Sequence, residues 1–105
     1  MAQTRSSVFL TTPSAEVQID QLNRNETLTV CTANTVYALR VVCGGTGEVR
    51  VVGGRHFPQT TCATLLGASV GTLLKVHTIR VGLSMEFLHQ SRRIVTSPVV
   101  SISMD

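Results

Sequence analysis

An alternation of apolar and polar residues over positions 79–88, IRVGLSMEFL, is the feature that most constrains how this chain can fold. The odd-numbered positions hold Ile79, Val81, Leu83, Met85 and Phe87, and the even-numbered positions hold Arg80, Gly82, Ser84, Glu86 and Leu88. Successive side chains of a β-strand point to opposite faces of a sheet, so a period of two predicts a half-buried strand. Gly82 lies within it, where a glycine indicates a bend or a bulge.

The preceding half of the chain predicts a meander of three strands. Residues 26–32 and 35–43 alternate in the same way and form a predicted hairpin. The glycine-rich turn at 44–47 then leads into a third strand over residues 48–52. Alternation along the second strand places Cys43 on its core face, as a small buried residue.

The remaining segments extend the β pattern towards the carboxyl end. Strands are predicted over residues 60–66, 72–78 and 94–104, and a glycine-containing turn is predicted at 67–71. Pro98 cannot donate a ladder hydrogen bond, so it indicates an edge strand, a bulge or a crossing between sheets. The total is about six to seven short antiparallel strands.

Residues 14–22, SAEVQIDQL, are the best candidate for a helix in this sequence. Ser14 could cap a helix whose first turn contains Glu16. Val17 and Ile19 also alternate with polar residues, so the pattern is equally compatible with a short strand. Before this segment, residues 1–12 are expected to form a flexible or partly ordered amino-terminal arm.

These features predict an all-β fold, a small single-domain β-barrel over residues 1–105 with at most one short helix near residues 14–22. The chain is 43% hydrophobic and has no tryptophan, so valine, leucine, isoleucine and threonine must build the core. Closure into a barrel buries one face of short strands and removes their exposed edges. In its short strands and glycine turns the chain resembles the SH3-like, RIFT-like and OB-like small barrels, a resemblance of architecture that implies no function.

No pattern of catalytic or metal-binding residues stands out, so the sequence predicts a non-enzymatic protein without catalytic residues, metal or cofactor. The segment VVGGRHFPQTTC raises the hypothesis of a site made by His56 and Cys62. A reactive cysteine needs a neighbouring base and a third residue that orients it, and none is identifiable. Zinc ligands in one loop lie two to four residues apart, and no pair of cysteines or histidines has that spacing.

Basic residues supply the candidate binding surface. The net charge is +3, and only Glu48 and Glu86 offset the basic residues between positions 40 and 93. Small barrels can bind nucleic acid with a basic face and exposed aromatic rings, which makes nucleic-acid binding through an arginine-rich outer face the alternative function. The loop Arg55–His56–Phe57 offers the one aromatic ring suited to stacking. The predicted binding residues are Arg50, Arg55, His56, Phe57, Lys75, Arg80, Arg92 and Arg93.

A protein-interaction or self-association module is the favoured function. Val36, Ala38 and Val42 share a predicted outward face with Arg40, and strands that are apolar on both faces usually pack against a partner. The expected partner is a second copy or another protein. No apolar run is long enough for a membrane span, and three widely spaced cysteines suit a reducing compartment, so a cytoplasmic location is expected.

Overall fold

A computed structural model describes residues 12–105 and contains ten β-strands and one short 3₁₀-helix within them. The predicted amino-terminal arm, residues 1–12, therefore lies outside the described residues except for Thr12, which begins β1. The elements are β1 (Thr12–Ser14), β2 (Glu16–Gln18), the 3₁₀-helix (Ile19–Gln21), β3 (Thr27–Thr32), β4 (Val36–Cys43), β5 (Glu48–Gly53), β6 (Phe57–Val70), β7 (Leu73–Val76), β8 (Thr78–Arg80), β9 (Ser84–His89) and β10 (Arg92–Met104).

Six of these strands form a closed ring in which every neighbouring pair is antiparallel. The meander β3–β4–β5 continues into β6, β6 pairs with β9, β9 pairs with β10, and β10 returns to β3. The other four strands lie outside the ring: β1 pairs with β10, β7 pairs with β6, and β2 and β8 form a separate two-stranded sheet. The prediction of a small all-β domain is confirmed, as is the predicted meander.

Two long strands make closure possible because each changes partner along its length. β6 pairs with β5 through residues up to Thr64 and with β9 from Thr64 onward. β10 pairs with β9 through Pro98 and with β3 from Val99 onward. A register shift lies between Val95 and Pro98, so of the three alternatives predicted from Pro98 the structure shows the bulge. Both partners of β10 belong to one sheet, so the strand does not cross between sheets. The hydroxyl of the buried Thr96 accepts a 3.0 Å hydrogen bond from the Met85 amide at this interruption.

The predicted single strand over residues 79–88 is wrong, because the chain forms two strands there. Gly82 has a φ of +94°, which ends β8 and redirects the chain into β9. Ile79, Met85 and Phe87 are buried as predicted, whereas Val81 is exposed and Glu86 is buried. Met85 and Phe87 keep the predicted alternation, but the β6 ladder shifts register opposite Glu86, and its carboxylate is buried where it pairs with Arg93.

Other predicted boundaries also differ from the structure. The strand predicted over residues 60–66 extends to Phe57–Val70, so the predicted turn at 67–71 contracts to Gly71 and Thr72. The predicted strand over residues 72–78 is interrupted at His77, whose φ is +53°.

Two local predictions differ from the structure for reasons that the alternation of residues does not reveal. Residues 14–22 contain β2 followed by a single 3₁₀ turn rather than one continuous element. Cys43 is exposed rather than buried in the core. The β4–β5 ladder shifts register between Val41 and Cys43, and this irregularity turns the end of β4 away from the core face.

The core fills the inside of the ring with aliphatic side chains and one aromatic pair. Phe57 and Phe87 meet edge to face, with ring centroids 5.2 Å apart and an interplanar angle of 72°. Fully buried aliphatic residues from β3, β4, β5, β6, β9 and β10 surround this pair. Ile19 and Ile79 join the same cluster and so attach the small β2–β8 sheet to the ring.

Candidate functional site

A surface depression of about 320 Å³ collects basic residues from two turns that are far apart in sequence. We call it the arginine groove. Its basic residues are Arg55, His56, His89, Arg92 and Arg93, and Gln90, Ile94 and Val95 complete its lining. Four of these basic residues were predicted as binding residues from the sequence; His89 was not.

The β9–β10 turn sets one wall of the arginine groove. Gln90 and Ser91 both have positive φ angles, 51° and 64°, as a two-residue type I′ hairpin requires. This tight turn makes His89 and Arg92 direct cross-strand partners. The other wall carries Arg55 and His56, which lie in the turn between β5 and β6.

The charges in the groove are only partly compensated. Arg93 forms an ion pair with Glu86, whose carboxylate is buried beneath it. All six acidic residues of the chain lie within residues 12–105, and none is within ion-pair distance of Arg55 or Arg92. The two guanidinium groups are therefore available to an anionic ligand.

The hypothesis of a His56–Cys62 site gains no support from the geometry. His56 lines the arginine groove, whereas Cys62 lines a separate depression with Glu48. The histidine beside Cys62 is His89, whose Nδ1 lies 3.1 Å from the Cys62 carbonyl oxygen. A carbonyl oxygen only accepts hydrogen bonds, so Nδ1 carries the proton and Nε2 is the remaining ring nitrogen. Within residues 12–105, no three histidine, cysteine or acidic side chains are grouped as a metal site requires.

The other predicted basic residues lie elsewhere on the surface. Lys75 and Arg80 both pair with Glu16, with Nζ–Oε1 and Nη1–Oε1 distances of 3.1 Å and 2.5 Å. These hydrogen bonds, first from Lys75 and then from Arg80, hold the pKa of Glu16 below its ordinary value. Arg50 is the direct cross-strand partner of Arg40 on β4 and lines a depression that also contains Asp105.

The expectation that Phe57 presents an aromatic ring for stacking is wrong. Phe57 is the first residue of β6, and its side chain is fully buried against Phe87. The strand begins three residues earlier than the predicted start at residue 60, and the strand geometry turns the ring inward. Among residues 12–105, no phenylalanine, tyrosine or tryptophan lines the arginine groove.

A second surface feature is the hairpin formed by the end of β6 and β7. We call its exposed residues Val70, Leu73, Leu74 and Val76 the apolar hairpin. Their exposed fractions are 54%, 71%, 37% and 62%. Every residue of β7 is exposed, so this strand projects from the ring with both of its faces in solvent. The sequence predicts a strand over residues 72–78 but does not predict that this part of it is uncovered.

The backbone of β7 also has an open edge. Within the described part of the chain, its only strand partner is β6. The His77 amide donates to the Leu66 carbonyl at 2.9 Å, and antiparallel backbone groups alternate in direction along the strand. The backbone N–H and C=O groups of Leu73 and Lys75 therefore point towards β6, while those of Leu74 and Val76 point away from it. Of the outward groups, the Val76 carbonyl accepts a hydrogen bond from the Thr78 hydroxyl.

Comparisons with protein-family models, with curated proteins and with solved structures found no match to this chain. Across residues 12–105, none of the helical structure has the length and apolar character needed to traverse a bilayer.

Proposed function

We propose that this protein is a non-enzymatic binding module that self-associates by pairing β7 with β7 of a second copy. The observation that carries the proposal is the combination of an apolar hairpin with an open backbone edge on the same strand. Soluble proteins usually shorten, charge or cover such edges, because an uncovered apolar edge pairs with another chain.

The residues of β7 favour a second copy of the chain as the partner that pairs with its open edge. A two-fold axis at Leu74 would pair Leu74 with itself and Leu73 with Lys75 of the other copy, using the outward-facing backbone groups of Leu74. An axis at Lys75 would place two lysines opposite each other, which is unfavourable. Lys75 already forms an ion pair with Glu16, so its charge is partly compensated within its own copy. The Leu74-centred pairing therefore satisfies backbone, apolar and charged groups together.

Sedimentation equilibrium over a range of protein concentrations tests this proposal. We expect a monomer–dimer equilibrium that Leu74→Lys abolishes, because the substitution places two positive charges on the two-fold axis. Val36→Lys is the matched control: Val36 is 61% exposed on β4, and its substitution should leave the equilibrium unchanged. A protein that stays monomeric at the highest concentrations, or equal effects of both substitutions, would contradict self-association through β7.

A further variant separates pairing of the backbone from apolar contact. The Leu74 amide points away from β6, so Leu74→Pro removes a donor that the native hairpin does not use. We expect this variant to remain folded and to lose dimerisation. If it dimerises as well as the unmodified protein, the contact is not a β-ladder.

The alternative, nucleic-acid binding through an arginine-rich face, has weaker support. Lys75 and Arg80 share one carboxylate, Arg50 lies on another surface, and the Phe57 ring is buried. The three cysteines are unpaired, which supports a reducing, cytoplasmic location for the proposed module.

A further inference from the structure

The arginine groove has features of a ligand site that self-association through β7 does not explain. It lies at the His89 end of β9, whereas β7 flanks β6 next to the Ser84 end. Its volume of about 320 Å³ is within the range of small-ligand sites, roughly 300–1,000 Å³. Two turns close in space but distant in sequence supply its charges.

The charge balance of the groove indicates the class of ligand. Arg55 and Arg92 contribute two positive charges that no carboxylate in residues 12–105 offsets, and Glu86 offsets that of Arg93. His56 and His89 add further hydrogen-bond donors when protonated. A single carboxylate would balance only one of the two free charges. A phosphoryl dianion balances both, and its oxygens match the forked donors of arginine.

The groove is also built to hold its donors in place. The type I′ turn at Gln90 and Ser91 is short, and it fixes His89 opposite Arg92. Arg93 is anchored by the buried Glu86 carboxylate, yet its side chain remains 64% exposed and can still contact a ligand. Donors fixed before binding lose less conformational entropy when a ligand arrives.

We infer that the arginine groove binds a phosphate-bearing ligand, with Arg55 and Arg92 as the principal contacts and Arg93 and His89 as supporting donors. The same chemistry occurs in free phosphate compounds and in a nucleic-acid backbone, so the experiment uses one probe of each kind. The groove's small volume, and the lack of phenylalanine, tyrosine or tryptophan in its lining within residues 12–105, favour a compact phosphate over a stacked single strand.

Titration with inorganic pyrophosphate, followed by amide chemical shifts at low salt, tests the inference. We expect shifts confined to the β5–β6 and β9–β10 turns, and weaker binding as salt is added. Arg55→Gln and Arg92→Gln should each weaken binding roughly tenfold, because each removes a charge-assisted hydrogen bond. Arg40→Gln, the same change of charge on a different surface, should change affinity less than about twofold, since that arginine lies beyond the groove.

A third substitution is expected to strengthen pyrophosphate binding rather than weaken it. Glu86→Gln removes the one negative charge beneath the groove and releases Arg93, so it should tighten pyrophosphate binding several-fold. The two arginine variants keep the test valid if the buried substitution prevents folding. Absence of pyrophosphate binding, or an equal loss in Arg40→Gln, would overturn the inference.

A single-stranded oligonucleotide, titrated in the same way, identifies the source of the phosphate. Pyrophosphate binding without oligonucleotide binding assigns the groove to small phosphate compounds. Binding of both, with the same losses in Arg55→Gln and Arg92→Gln, assigns it to a nucleic-acid backbone. Oligonucleotide binding without pyrophosphate binding would overturn the proposed compact site. Leu74→Lys leaves the groove intact, so this test remains independent of self-association.

Discussion

The thiol of Cys43 is exposed at the end of β4, beside the turn that leads into β5. Hydrogen bonds from the Thr46 side chain and from the backbone of Thr46 and Gly45 lower the pKa of this thiol, against the opposing effects of desolvation and of the Glu48 charge. The thiolate is the reactive form of cysteine, so exposure and a lowered pKa both increase the reactivity of Cys43.

Cys43 should therefore be alkylated by iodoacetamide faster than Cys31 or Cys62 in the folded protein. Cys31 is half-buried within β3, and Cys62 is exposed on β6, which makes Cys62 the stricter comparison. Thr46→Val removes the hydroxyl and should slow alkylation at Cys43 without changing the rate at Cys62. Mass spectrometry of peptides taken at several reaction times measures each rate. Equal rates at Cys43 and Cys62 would show that the turn does not activate the thiol.

At the scale of single residues, the sequence predicts exposure well where strands are regular. Tyr37 and Phe87 are buried and Arg40 is exposed, as alternation predicts. Cys43 follows a register shift in its own strand, where the period of two changes phase. Glu86 lies opposite a register shift in β6 and is buried in its ion pair with Arg93. The direction of the Phe57 side chain is predicted wrongly because β6 begins at this residue rather than at residue 60, so the ring belongs to a strand and is buried.

At the scale of elements, Gly67 permits β7 to lie against β6. Its φ is +151°, and a Cβ atom added there would lie 2.1 Å from the Lys75 carbonyl oxygen. Real Cβ atoms do not approach backbone oxygens so closely, so any side chain at this position must displace β7. Gly67, which the sequence assigns to a turn, thus lies where the backbones of β6 and β7 contact each other.

Gly67→Ala should destabilise the protein by roughly 2–4 kcal/mol, because backbone strain adds to displacement of β7. Gly45→Ala is the matched control: nothing lies within 4 Å of its added Cβ and its φ is not positive. We expect that control to stay within about 0.5 kcal/mol of the unmodified protein or to be slightly more stable. Urea unfolding measures both changes. A small effect at Gly67 would contradict the close approach of the two strands.

Local elements of this fold were predictable, and its closure was not. The β3–β4–β5 meander follows from short turns between alternating segments, which are local signals. The β6–β9 and β10–β3 pairings join segments far apart in sequence, and no local pattern specifies them. The arginine groove has the same origin: Arg55 and Arg92 were both recognised as candidates, but only the long-range pairings bring their turns together.

At the scale of the whole molecule, Glu16 connects the two sheets electrostatically. It lies on β2 of the small sheet, where it contacts Arg80 on β8 and Lys75 on β7 of the main sheet. The buried residues Ile19 and Ile79 make the corresponding apolar connection. The small sheet is therefore attached to the ring by buried apolar residues, which also include Val17 on β2, and by one exposed ionic contact.

Replacing Glu16 by glutamine should make the free energy of unfolding less sensitive to pH in the acidic range. The folded state lowers the pKa of Glu16 from its ordinary value of 4.5. A lowered carboxyl pKa stabilises the fold above the unfolded value, and this stabilisation is lost as pH falls through the folded value. The unmodified protein should thus be more stable than Glu16→Gln at neutral pH, and the difference should shrink below pH 4.5.

Urea midpoints at a series of pH values measure the contribution of Glu16, with Asp20→Asn as the matched control. Asp20 is an exposed acid four residues away that forms no ion pair among the described residues. Asp20→Asn should not produce a difference in urea midpoint at neutral pH that disappears at acidic pH. Because Glu16 is partly exposed, added salt should reduce the Glu16→Gln difference at neutral pH. A difference that persists unchanged at low pH and high salt would mean that Glu16 acts through packing rather than through its charge.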